Sequence, residues 1–218
     1  MKKILLLLTT LFFISCQIQY DGGSKFIVQT KVVDKNGIPI PEVPVSVRVS
    51  SGGLSDEISL SETNKDGFAT LLFPPPENEG ATISISYFPD YYNDATSIYY
   101  AKEIDQLKKS DFSDYLYDTG IVILLKEADV TEFTVLKEQI NQSNQITAFS
   151  TDAVSTESIP SSFSELNYYF PISIKVLKNH TFTVNYSITN YSTSPQTVTN
   201  YSEQVTAGNV PFSYTIVY

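Results

Sequence analysis

The chain holds a single histidine, His180, and a single cysteine, Cys16, in 218 residues, so chemistry that needs several soft or basic ligands is narrow from the outset. His180 sits in Lys178-Asn179-His180-Thr181, between two runs of alternating apolar residues, which is the place of a turn. A Ser-His-Asp triad would require it, yet no Gly-x-Ser-x-Gly or other nucleophile signature stands ready to meet it. A zinc site would run short of ligands. Asp34-Lys35-Asn36-Gly37 and Asn64-Lys65-Asp66-Gly67 share residue types with calcium loops. Each lacks the further acids and the distal Glu of an EF-hand, so both read as turns. No Gly-rich phosphate loop occurs, and 24 acidic residues offer no way to choose a glycosidase pair without geometry. The expectation is no catalytic residue, no metal ligand set and no cofactor.

Cys16 has a different chemistry open to it. Lys2 and Lys3 precede an apolar stretch from Ile4 to Ile14, interrupted only by Thr9 and Thr10, and Ser15 then stands before the cysteine. A cationic start, a short apolar core and a small residue at the processing point make a secretory signal peptide. The apolar stretch is about half of the ~20 residues a membrane-crossing helix needs. The segment Phe13-Ile14-Ser15-Cys16 resembles a bacterial lipobox, which implies cleavage before Cys16 and acylation of its sulfur and new amino group. Several acyl chains, at about 0.8 kcal/mol per buried methylene, would make such an anchor effectively permanent. Residues 17–24 (QIQYDGGS) then read as a polar, glycine-containing tether. In this layout the chain is similar to Bacteroidetes lipoproteins. The expected localisation is the bacterial cell envelope, lipid-anchored at the outer membrane, facing the periplasm or the surface.

Composition limits the rest. Fifteen Tyr, thirteen Phe and no Trp, together with frequent Val, Ile and Thr, form a strand-rich profile. With Cys16 committed to lipid, no thiol remains for a disulfide, and apolar burial must hold the fold together. A net charge of −10 argues against nucleic acid as a partner, because that binding rests on a basic surface. The partners left are the membrane, through the anchor, and an envelope protein or polysaccharide.

From Phe26 the chain falls into short alternating runs separated by turn signals. Phe26 to Val33 reads as a strand, and the Asn36-Gly37 pair tolerates the positive φ of a tight turn. Val43, Val45, Val47 and Val49 alternate with Pro44, Ser46 and Arg48 and should face the core. Ile58 and Leu60 alternate with serines, and Phe68 to Phe73 is a nearly continuous apolar strand stopped by Pro74, Pro75 and Pro76. Ile83, Ile85 and Tyr87 resume the alternation, and Ile121 to Leu125 is apolar enough to be buried on both faces.

The segments VVDKNGIPIPEVPVSVRV and SETNKDGFATLLF resemble the carboxypeptidase regulatory-like (transthyretin-like) domain, and nearly as closely the bacterial Ig-like domains of invasin type. The resemblance spans residues 26–126 and implies a β-sandwich serving structure or recognition, with no catalytic residues. Neither family requires the insertion 88–117. It carries Tyr91, Tyr92, Tyr99, Tyr100, Tyr115 and Tyr117 among Asp90, Asp94, Asp105, Asp111 and Asp114. Long excursions from a rigid sandwich often carry binding surfaces, and Tyr gives a large contact area with a polar tip. These six tyrosines are the candidate binding surface, and a carbohydrate-binding accessory role is the alternative they suggest. The other reading is that they cover a sandwich edge, with Ile104, Leu107 and Phe112 in a short helical piece. The acids leave an irregular calcium site open.

The alternation restarts at Phe133, after the charged stretch 126–131 (KEADVT), so a second domain is placed at 127–218. Strands are expected over 133–139, 145–150, 169–177, 181–189, 196–206 and 211–218. Asn-Tyr-Ser recurs at Asn185, Asn190 and Asn200, and beside the lipobox these triplets read as products of strand alternation rather than glycosylation acceptors. The expected fold is all-β: signal peptide 1–15, lipidated Cys16 and tether 16–25, then two consecutive antiparallel Ig-like or transthyretin-like β-sandwiches at 26–126 and 127–218. The expected function is a non-catalytic, membrane-anchored structural or protein-binding module.

Overall fold

The computed structural model describes residues 17–88, 98–157 and 170–218. Among these residues the fold is all β, with thirteen strands, two 3-10 turns and no α-helix. The chain forms two compact units. The first gathers the described parts of Met1–Lys31, Ile40–Tyr87 and Ile104–Ile121, and the second those of Val32–Pro39, Phe88–Glu103 and Val122–Tyr218.

In the first unit, β1 (Phe26–Val33), β4 (Phe68–Phe73) and β7 (Leu116–Ile123) form a sheet ordered β4-β1-β7. The facing sheet runs β3-β2-β5-β6, from β2 (Pro44–Ser51), β3 (Leu54–Glu62), β5 (Thr82–Tyr87) and β6 (Lys102–Leu107). Antiparallel register sets Val45, Val47 and Val49 opposite Tyr87, Ile85 and Ile83, and all six side chains are buried, as is Val43. Val28, Leu71 and Phe73 supply the buried face of the other sheet. Tyr87 also carries a polar tip into this core, where its hydroxyl meets Thr30 Oγ1 at 2.9 Å, and Thr119 Oγ1 donates to Thr30 at 2.7 Å. A buried hydroxyl left without such partners would be costly, so the three oxygens sit together.

Two local readings are corrected. Ile121 is 65% exposed, although the run from Ile121 to Leu125 was expected to be buried on both faces. β7 lies in a sheet that the facing sheet covers on one side only, and Ile121 points to the other side. On β4, Phe68 and Leu72 point outward for the same reason, while Ala69, Leu71 and Phe73 face in. An apolar run does not by itself say how many of its faces are covered. The helical piece is also absent: Ile104 and Leu107 lie in strand β6, and Phe112 follows a 3-10 turn at Lys109–Asp111. That turn is closed by the Asp111 carboxylate accepting from the Lys108 amide at 2.7 Å. The ring of Phe112 then stacks on Phe26 with centroids 4.3 Å apart.

The two Asx-Lys-Asx-Gly segments are turns of one design. Asp34 Oδ1 accepts from the amides of Asn36 and Ile38 at 2.8 and 2.9 Å, and Asn64 Oδ1 accepts from those of Asp66 and Phe68 at 2.9 and 3.0 Å. Gly37 and Gly67 both hold φ +79°, which a Cβ would strain. We expect Asn64→Ala to lower stability by about 0.5–1.5 kcal/mol in denaturant melts. Desolvation pushes the Asp34 carboxyl up, but hydrogen bonds from Ile38 and Asn36 outweigh it and leave the group below its ordinary value. Its contribution is therefore present above the unfolded-state pKa and lost as pH falls through the lowered one. A melt of Asp34→Ala should accordingly fall less steeply with acid than the parent.

The second unit contains β8 (Val130–Glu138), β9 (Asn144–Thr151), β10 (Ile172–Leu177), β11 (Thr181–Asn190), β12 (Thr197–Thr206) and β13 (Phe212–Val217). Its sheets run β10-β8-β13 and β12-β11-β9. Phe133, Val176 and Ile216 from one sheet meet Phe149, Phe182 and Val184 from the other in a continuous core. Phe133 is its centre, edge-to-face with Phe182 at 5.2 Å and stacked on Phe212 at 5.0 Å. One pair departs from the antiparallel pattern, since β13 runs parallel to β8, with Phe212 opposite Phe133. The chain leaves β12 in one sheet and enters β13 in the other, so no hairpin dictates the direction of that last pair.

Candidate functional site

Cys16, Tyr91 and Tyr92 lie outside the described residues. The other four candidate tyrosines are divided between the units, Tyr115 and Tyr117 in the first, Tyr99 and Tyr100 in the second. Asp114 and Tyr115 both take positive φ, +50° and +66°, in the turn that leads into β7. This turn leaves Tyr115 56% exposed while its carbonyl accepts from the Ile27 amide at 2.8 Å. Tyr117 leans on Phe112 at 5.4 Å, and burial, with the charge of Asp111, raises its pKa.

Tyr99 stacks on Phe88 at 6.4 Å, and the Lys126 ammonium lies 4.9 Å from its ring centroid. Tyr100 is bonded through its amide to the Leu125 carbonyl, and its hydroxyl accepts from Lys175 Nζ at 2.8 Å. That hydrogen bond is the main reason the Lys175 pKa is raised. Cation–π contact of this kind contributes about 0.5–1 kcal/mol at an exposed site. These rings therefore also hold the scaffold.

The groups that could act as acid, base or nucleophile are dispersed. His180 is half-buried just past the two-residue turn after β10, and its carbonyl accepts from the Ala207 amide at 2.9 Å. Lys102 is a partly buried amine, its pKa lowered by desolvation, with Nζ 3.4 Å from the Ser155 carbonyl. The buried polar side chains among the described residues are Ser, Thr and Tyr hydroxyls, and no Asp, Glu, His, Lys or Arg is among them. No group of three His, Cys, Asp or Glu among them is placed to hold a metal ion.

Sequence reasoning passed over a tyrosine cluster in the second unit. Tyr186 of β11 and Tyr201 of β12 are register partners, with rings stacked at 4.8 Å and 12°. Tyr214 of β13 lies 6.4 Å from Tyr186, and the Tyr186 hydroxyl donates to Glu203 Oε1 at 3.2 Å. Burial, then hydrogen bonding to Tyr186 and Glu203, pushes the Tyr214 hydroxyl well above the ordinary phenol value. The available signal was the repeated Asn-Tyr-Ser triplet, which places one Tyr on each of two adjacent strands.

No family model and no curated protein matches the chain. Among solved structures, a streptococcal ancillary pilin is 10% identical at a TM-score of 0.33, covering 90% of this chain and 63% of its own. The shaft pilin SpaA of Lactobacillus rhamnosus GG is 10% identical at 0.31, covering 88% of this chain and 97% of its own. A 9R-lipoxygenase from Cyanothece PCC8801 is 13% identical at 0.29 over 50% of this chain, which spans 18% of the lipoxygenase. At these TM-scores the likenesses assign neither family nor activity.

Proposed function

We propose that this chain is a non-catalytic, lipid-anchored module of a bacterial cell envelope, serving as a structural or protein-binding element. The observation that carries the non-catalytic reading is the character of the buried polar groups: among the described residues they are Ser, Thr and Tyr hydroxyls, with no fully buried Asp, Glu, His, Lys or Arg. Catalytic acids and bases are tuned by burial beside partners, and such groups here lie at or near the surface. Support for the anchor is the run from Lys2 to Cys16. Hydrophobic sandwiches without a disulfide suit a structural module that presents loops and sheet faces to a partner.

Fractionation of cells expressing the parent or Cys16→Ser tests this reading. The parent is expected in the membrane pellet, resistant to salt and released by detergent, and the variant in the soluble fraction. Equal partitioning of the two would overturn the anchor.

A further inference from the structure

The tripeptide Asn185-Tyr186-Ser187 lies in β11, its copy Asn200-Tyr201-Ser202 in β12, and Ala148-Phe149-Ser150 in β9. Antiparallel register brings all three side by side. Asn185 faces Ser202 and Ser187 faces Asn200 across one ladder, while Ser150 faces Asn185 and Ala148 faces Ser187 across the other. Because side chains alternate, the aromatic middle residues turn to one side of the sheet, where Phe149 and Tyr186 are buried. The six small residues share the opposite side. These three tripeptides line a trough of about 290 Å³.

Two further features set this face apart. On the side of the sheet that carries Asn185 and Asn200, every position of β11 and β12 is Ser, Thr, Asn, Gln or Val, uncharged in a chain whose net charge is −10. A bulge also falls at the trough: Ser187 faces Ala148 but Ile188 faces Ile146, so Thr147 is the extra residue, and its hydroxyl is held 2.9 Å from that of Thr189. Bulges bend a strand and re-aim side chains, and they are enriched beside functional sites.

We propose that this trough binds a neutral saccharide. Carboxamides and hydroxyls each offer donors and acceptors on adjacent atoms, which is the pattern that a sugar diol presents in return. None of the six side chains on this side of the sheet carries a charge, so the trough has nothing to neutralise an anion or a cation. A purely apolar ligand would leave the Asn and Ser groups unpaired, whereas the apolar part of the lining suits the C–H faces of a sugar. Ser187 Oγ donates to Asn200 Oδ1 at 2.7 Å, which fixes the carboxamide and aims its amide protons as donors. The site is distinct from the insertion tyrosines, and it stands whether or not Cys16 is acylated.

The test is an amide-detected NMR titration of residues 16–218 with Cys16→Ser, using malto-, cello-, laminari- and xylo-hexaose up to about 10 mM, enough to saturate a millimolar complex. At least one neutral oligosaccharide should shift the Asn185 and Asn200 side-chain amides. Asn200→Ala should weaken that complex about tenfold. Asn185→Val with Asn200→Val, which keeps strand propensity, should abolish it, and Thr181→Val at the far end of the same face should leave it unchanged. Dispersed spectra of each variant report that it is folded. Shifts confined to other surfaces, shifts only with a charged oligosaccharide such as oligogalacturonate, or no shifts with any of the four would overturn the proposal.

Discussion

Replacing Phe133 by alanine should lower the stability of the second unit by about 3–5 kcal/mol, the range for truncating a fully buried aromatic side chain. Phe133 is completely buried where the two sheets of that unit meet, and its ring contacts Phe182 and Phe212. Truncation would lose both the transfer free energy and the packing contacts, because neighbours on paired strands cannot collapse far into the void. Val135 and Val176, also buried, would line what remains. Denaturant melts followed by tyrosine fluorescence would measure the loss. A change below about 1 kcal/mol would mean that the two sheets do not share one core.

An even larger loss is expected from Val47→Asp. Val47 is fully buried in the middle of β2, between Ser59 of β3 and Ile85 of β5. A lone carboxylate there has no cationic partner, and the cost is several kcal/mol whether the group stays charged or is forced to take up a proton. The first unit should fail to fold at neutral pH. Thr70→Asp, on the exposed side of β4, should change stability by only about 0.5 kcal/mol. Circular dichroism and NMR dispersion distinguish the two outcomes. Equal tolerance of both changes would contradict the alternation on which the sandwich rests.

The alternation itself was open to sequence reasoning because side-chain direction in a strand has a period of two. Phe26–Val33 and Phe68–Phe73 were delimited to the residue, and Val43, Val45, Val47 and Val49 are all buried as that period requires. What escaped was set by neighbours in space. Ile121 is exposed because it points to the open face of a sheet covered on one side only, a fact about how the sheets stack rather than about the residue. Ile104 and Leu107 are three apart, a spacing that suits a helix, yet β5 offered an adjacent edge for strand pairing and Ser84 donates to Asp105 at 2.6 Å across it. The parallel pairing of β13 depends on which sheet the chain enters after β12.

The candidate site was legible in part. The tyrosines of the insertion were visible as a composition, but their partners, Lys126 for Tyr99 and Lys175 for Tyr100, come from distant positions in the chain. The Asn-Tyr-Ser repeat was visible too, and its first and third copies acquire meaning only through register. Pairing Tyr186 with Tyr201 puts two Asn and two Ser on the opposite side, a consequence no spacing rule within one strand supplies.

In the proposed function, Cys16 becomes the lipid-bearing first residue of an exported chain. Mass spectrometry of the amino-terminal peptide, from protein purified out of membranes of cells fed an alkyne-tagged palmitate, tests it most directly. The expected product is a peptide that begins at Cys16 and carries both a diacylglycerol mass and the tag, and that disappears in Cys16→Ser. A peptide that begins elsewhere, or one that begins at Cys16 without acyl groups, would contradict it.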